Sequence, residues 1–199
     1  MNKNKILLTL LLLCLPFVAM AQRDTLNVVD WQFSRSNLTP ESATKGEGQW
    51  KGVRLPHDFL VEQPWVAPAA GEKADNSDVA ANVKSRLSAR GFKEMGIGWY
   101  RHAFSPNPDW KGRRVMLEVG GIMLVGDVYL NGERIGGTEY GYIGFGIDIS
   151  DKLRYGQENV LVVKADTRNP NNSRWYTGGG LYRDVKFIVT DKSLYFDRH

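Results

Sequence analysis

The greatest capacity for chemistry in this chain lies between Pro170 and Val185, where Arg174, Trp175 and Tyr176 run into Gly178-Gly179-Gly180 and then into an apolar stretch. The guanidinium of Arg174 offers a planar fork of donors. The indole of Trp175 and the phenol of Tyr176 offer flat faces that pack on C–H surfaces while keeping a polar edge. Donors beside stacking faces suit a polyhydroxylated ligand, so Arg174, Trp175 and Tyr176 are the candidate substrate-binding residues. The competing reading is that Trp175 and Tyr176 cap the end of the fold and Arg174 pairs with an acid. The three glycines would cradle a phosphate only ahead of a helix. The residues after them read as a strand, so a nucleotide site is not expected.

Other constellations fail on inventory. Hydrolysis of a glycosidic bond needs two carboxyl groups, ~5 Å apart for retention and several Å more for inversion. Asp58, Asp127, Glu139, Asp148, Asp166 and Asp184 are available, but plainer readings fit better. Asp127 and Asp148 read as polar-face strand residues, Asp166 as a strand end, and Asp184 as a local partner of Arg183. No residue is therefore assigned a catalytic role. The three histidines, His57, His102 and His199, have no metal-ligand spacing, and no Gly-x-Ser-x-Gly elbow accompanies them. His57 reads as a hydrogen-bonding tether for its loop. Neither a metal nor a cofactor is expected.

The elements that would position these residues read as short strands punctuated by Gly, Pro and Asn. The clearest is a hairpin from Val125 to Ile135, turning at Asn131-Gly132, a pair suited to a type I′ turn because both positions need positive φ. Further strands are expected at 98–104, 114–119, 145–149, 160–165 and 184–190. Val160 to Val163 is apolar on both faces, as a central covered strand would be, whereas Val185, Phe187 and Val189 mark one drier face. Two sheets packed face to face accommodate both patterns. Trp31, Trp99 and Trp110 are expected in the core. Helix is expected only briefly, near Ala80 to Leu87, within an excursion from Pro64 to Gly91.

The first 21 residues read as an export signal. Lys3 and Lys5 precede an apolar run from Ile6 to Val18, and Ala19-Met20-Ala21 supplies small residues for cleavage ahead of Gln22. A periplasmic or extracellular location is the resulting expectation. Acylation at Cys14 is the weaker alternative, because Leu13 occupies a position that normally takes a small residue. Removing 21 residues from 199 leaves 178, enough for one well-buried domain over 22–199. Cys14 is the only cysteine, so the mature chain would hold neither disulfides nor thiolate metal sites. The net charge of +4 falls to +2 without Lys3 and Lys5, and no dense basic run remains. Nucleic acid and membrane are accordingly not expected as partners.

Five ordered segments resemble the N-terminal sugar-binding domain of glycoside hydrolase family 2, the family of β-galactosidases, β-glucuronidases and β-mannosidases. They are Leu55-Pro56-His57-Asp58-Phe59, Gly98-Trp99-Tyr100-Arg101, Val128-Tyr129-Leu130-Asn131-Gly132, Gly141-Tyr142 with Phe145, and the run from Arg174 to Val185. The resemblance implies an all-β, galactose-binding-domain-like jelly-roll β-sandwich. It also implies a β-glycoside ligand, β-galactoside being the first choice, and a loop at Arg174 that reaches a separate barrel domain and helps shape the sugar pocket. The acid and nucleophile of such enzymes are glutamates of that barrel, two domains later, so this chain alone is expected to be inactive. A stand-alone carbohydrate-binding module and a purely structural domain remain the alternatives. Thr138 replaces a frequent histidine, and Ile143-Gly144 a frequent Thr-Pro. Ser173 stands where some galactosidases carry a sodium-binding acid, so no metal site is carried over.

Overall fold

A computed structural model describes residues 22–66, 92–168 and 176–193. The proposed leader, the expected helix at 80–87, and Arg174 and Trp175 lie outside them. Among the described residues, ten strands form two antiparallel sheets: β1 (Arg23–Asn27), β2 (Asp30–Ser34), β3 (Lys51–Arg54), β4 (Ile97–Phe104), β5 (Arg114–Val119), β6 (Val125–Leu130), β7 (Glu133–Thr138), β8 (Phe145–Asp148), β9 (Asn159–Asp166) and β10 (Val185–Thr190). One sheet has the order β1-β10-β5-β8, and the other β3-β2-β4-β9-β6-β7. The result is the all-β sandwich that the strand pattern predicts.

Apolar inner faces hold the two sheets together. Val115, Leu117 and Val119 of β5 and Val185, Phe187 and Val189 of β10 face Trp31, Phe33, Tyr100, Val128, Leu161 and Val163 across one core. Truncating one such Leu typically costs about 2–5 kcal/mol, because the cavity left behind collapses only in part. Trp31 and Trp110 belong to this core. Trp99 is equally buried but points to the outer face, where it meets Tyr129, Val162 and Ala43.

Ala43 belongs to a helix that the sequence reading did not expect, α1 (Pro40–Lys45). No apolar periodicity announces six residues; end chemistry makes the helix. The Thr39 side chain accepts from the Ser42 N–H at 3.1 Å, the Ser42 hydroxyl accepts from the Thr39 N–H at 2.8 Å, Pro40 stands at the first turn, and Gly46 closes the end with φ 78°. By covering Val162, α1 explains why β9 is apolar on both faces. Two further helical pieces are single 3₁₀ turns, Phe59–Glu62 and Pro108–Trp110. Strands β1, β2 and β3 also escaped the sequence reading, being short and mostly exposed on one side.

Strand pairing gathers several loops at one end. Ile97 and Val125 both lie opposite Asp166, Gly126 lies opposite Thr138, and Val119 lies opposite both Phe145 and Val185. The connections after β5, β7 and β9, and the approach to β4, therefore share that end of the sandwich. The other end holds the Asn131-Gly132 turn, with φ 53° and 88° as a type I′ turn requires.

Candidate functional site

Leu55 to Glu62 leaves the edge strand β3 and turns back along the open side of the sandwich, where Phe59 and Leu60 are fully buried. It meets the segment between β9 and β10 through paired backbone bonds: His57 N–H donates to Leu181 O at 2.8 Å, and Phe59 N–H to Gly179 O at 2.9 Å. Asp58 locks the junction. Its Oδ1 accepts from Leu60 N–H at 3.0 Å, capping the 3₁₀ turn, and from Gly179 N–H at 2.8 Å. Its Oδ2 accepts from the Tyr176 hydroxyl at 2.7 Å. One carboxylate thus joins residues 118 and 121 positions away in the sequence.

Close approach accounts for the three glycines. A Cβ on Gly178, whose φ is 74°, would stand 2.7 Å from Asp58 Oδ2, and one on Gly179 would stand 2.7 Å from the Thr167 methyl. A Cβ on Gly180, with φ 114°, would collide with the Tyr100 hydroxyl. The run therefore serves close packing on the way to β10. Gly180 also pairs with Met123 in both directions, at 2.9 and 2.8 Å. This ties the segment to the β5–β6 connection.

A buried polar chain lies behind the clasp. The Tyr100 hydroxyl lies 2.9 Å from His57 Nδ1 and 3.5 Å from the His57 carbonyl. His57 Nε2 is buried and 3.5 Å from Glu62 Oε1, at ion-pair range rather than in a formed hydrogen bond. Burial pushes the His57 pKa below its ordinary value, and Glu62 offsets this only in part. The bond from Lys51 holds the Glu62 carboxyl below the usual range. Burial pushes the Tyr100 phenol up. His57 is thus a tether of its loop, as the sequence suggests.

Of the three candidate binding residues, Tyr176 is the described one. Its ring is 41% exposed, while its hydroxyl is fixed on Asp58. Burial, then the Asp58 carboxylate, raises its pKa, so it stays a neutral phenol. Sequence reasoning gave Asp58 no positive role. The available signal was an Asp two residues before a buried Leu, a capping pattern, but its distant partners had no local trace.

The carboxylates disperse into ion pairs. Asp127 pairs with Arg134 at 2.8 Å, Asp148 with Arg114 at 3.2 Å and Asp166 with Arg168 at 2.7 Å. The expected pairing of Asp184 with Arg183 is corrected: Asp184 meets Lys186 at 3.2 Å. Arg183 instead stacks on Tyr182, 5.0 Å from the ring centre, and donates to the carbonyl of Tyr142. Among the described residues, no group of three His, Cys, Asp or Glu is placed to hold a metal ion.

Known proteins share this fold. The sequence pattern described as glycosyl hydrolase 2 galactose-binding domain-like matches residues 94–178. β-Galactosidase BoGH2A of Bacteroides ovatus is 31% identical over 157 residues, which are 78% of this chain and 17% of that enzyme. A β-glucuronidase of Bacteroides fragilis is 32% identical over 117 residues, 56% of this chain and 17% of that enzyme. The crystal structure of a β-glycosidase from Bacteroides vulgatus superposes with a TM-score of 0.69 at 29% identity, covering 84% of this chain and 20% of that one. The chain thus spans about a sixth of the length of these curated relatives. Fold and sequence pattern define a galactose-binding-like β-sandwich. The chain matches the N-terminal domain of glycoside hydrolase family 2 enzymes, the family's galactose-binding-like pattern falling on residues 94–178.

Proposed function

We propose that this chain serves as the N-terminal sugar-binding domain of an exported family 2 glycoside hydrolase acting on β-glycosides, β-galactosides first among them. Arg174, Trp175 and Tyr176 contact the sugar, and barrel carboxylates supplied by the rest of such an enzyme carry out hydrolysis. The observation that carries the reading is the Asp58 clasp. It pins Tyr176 at 2.7 Å and Gly179 at 2.8 Å, and so anchors the C-terminal side of the loop that bears Arg174. Binding groups must be held within a fraction of an ångström to favour a transition state, and a clamp on a rigid sandwich supplies that. β-Galactosidase and β-glucuronidase relatives both support a glycoside substrate.

The test is Arg174→Ala in the full-length enzyme. Losing one or two sugar contacts that tighten in the transition state should lower kcat/KM by roughly 10- to 1000-fold with little change in Tm. A value within about twofold of wild type would make Arg174 structural. The chain of 199 residues by itself should not hydrolyse nitrophenyl β-galactoside, β-glucuronide or β-mannoside. Turnover abolished by replacing one of its own carboxylates would overturn the division of labour. Export is tested by mass spectrometry of secreted material: the chain should begin at Gln22, and a retained Met1 or a lipid on Cys14 would refute it.

A further inference from the structure

The Asn131-Gly132 turn, at the end of the sandwich away from the clasp, is the single Asn-Gly pair of the sequence. A backbone nitrogen that belongs to glycine is the least hindered nucleophile an asparagine carboxamide can meet, because no Cβ shields it. Once that nitrogen gives its proton to a solvent base, it can form a bond to Asn131 Cγ. The Cγ–Nδ2 bond breaks, and ammonia leaves with the electron pair and a proton. Water then opens the resulting imide at either carbonyl, giving aspartate or isoaspartate. Gly132 is exposed, and only the Thr44 hydroxyl, at 4.0 Å, stands near the place of its missing Cβ, so base and water have free access.

Folding holds the carboxamide away from this reaction. Asn131 is bonded three times to the start of β9: its backbone N–H donates to Val160 O at 2.8 Å, its Oδ1 accepts from Val160 N–H at 2.9 Å, and its Nδ2 donates to Asn159 Oδ1 at 3.0 Å. A backbone N–H only donates, so the Val160 bond fixes which end of the carboxamide is oxygen. Asn159 cannot turn to follow a change in Asn131. It is fully buried, its Oδ1 also accepts from Arg154 N–H at 3.0 Å, and its Nδ2 donates to Arg154 O at 2.7 Å and to Gln157 O at 3.2 Å. Closing the imide swings Cγ onto the Gly132 nitrogen and so pulls Oδ1 and Nδ2 off both side-chain bonds. Neither product regains them in full. Aspartate sets a second acceptor against Asn159 Oδ1. Isoaspartate, whose main chain runs through Cβ, adds one backbone atom to a turn built for two residues.

We infer that Asn131-Gly132 is a latent deamidation site, closed in the folded domain by Asn159 and Val160, whose modification records opening of the turn from β9 and then disfavours reclosure. It is independent of the function proposed above. For its test, the whole chain is held in one mildly alkaline buffer, either native or unfolded in guanidinium chloride. The peptide containing Asn131 is followed by mass spectrometry for replacement of the amide by a hydroxyl, with isoaspartate separated by chromatography. Asn131 should be converted at least about tenfold more slowly in the native chain, because only the opened fraction reacts. Asn159→Ala, at a temperature where circular dichroism shows it folded, should raise the native rate about 3- to 10-fold, the population change that one hydrogen bond controls, and leave the unfolded rate alone. Asn131→Asp, which builds the aspartate product, should lower Tm. If Asn159→Ala does not fold, NMR exchange of the Asn131 side-chain amide protons, assigned by their absence in Asn131→Asp, decides. They should exchange at least about tenfold more slowly than those of the exposed Asn37. Equal native and unfolded rates, an Asn131 that stays unmodified in the unfolded chain, or a native rate unchanged by Asn159→Ala would overturn the inference. So would amide protons that exchange as fast as those of Asn37, or an unchanged Tm in Asn131→Asp.

Discussion

Two turns at opposite ends of the sandwich are built on different principles. The β6–β7 turn is set by its own backbone: Asn131 and Gly132 adopt left-handed conformations, and nothing but the Thr44 hydroxyl comes near a Cβ placed on Gly132. The clasp is non-local, because Asp58 and Tyr100 receive Gly178 to Leu181 from across most of the chain. A local turn is specified by a dipeptide and tolerates change around it. A clasp assembled from distant parts is tight everywhere at once, which suits it to hold a binding loop and makes it fragile.

Substitutions can break or sharpen that contrast. Gly180→Ala should have the largest effect: it combines a strained φ of 114° with a collision on the Tyr100 hydroxyl, and about 3–5 kcal/mol should be lost in urea unfolding. A loss under about 1 kcal/mol would mean that the clasp yields easily. Asp58→Ala removes three hydrogen bonds from one carboxylate, and an equilibrium melt should register about 2–4 kcal/mol. Gly132→Ala carries strain alone, since nothing but the Thr44 hydroxyl comes within 4.0 Å, and about 1 kcal/mol is expected. Should Gly132→Ala cost as much as Gly180→Ala, the distinction between the two ends fails.

The clasp should also respond to acid. His57 is held neutral by burial, so below the ordinary histidine pKa of about 6.5 the unfolded chain binds more protons than the folded one. Stability from this source is complete above that pH and is lost as pH falls toward the depressed folded value. His102, also depressed by burial, acts in the same direction. His57→Gln should therefore flatten, without abolishing, the decline in Tm between pH 7 and 5 that wild type shows. An unchanged slope would remove His57 from the account. Tyr176→Phe should have the smallest effect on stability, at most about 1 kcal/mol, because it deletes one hydrogen bond on a partly exposed ring.

Legibility followed the range of the interactions. Alternation in β5 and β10, and the double apolar face of β9, were visible because burial repeats with a period of two. Strands β1 to β3 were not, since short edge segments with exposed faces carry little period. Helix α1 was missed because six residues of end chemistry leave no apolar stripe. Thr39 is the cap of that helix.

By itself the sequence determined the sandwich, the Asn131-Gly132 turn, the buried tryptophans and the family, all properties of local pattern and ordered motifs. Tertiary structure alone decided what Asp58 does, why three glycines stand in a row, and that Trp99 packs on the outer face beneath α1. The physical reason is common to all three. Each depends on atoms brought together from segments dozens of residues apart, and no short-range propensity encodes which backbone will press against which side chain once the sheets have closed.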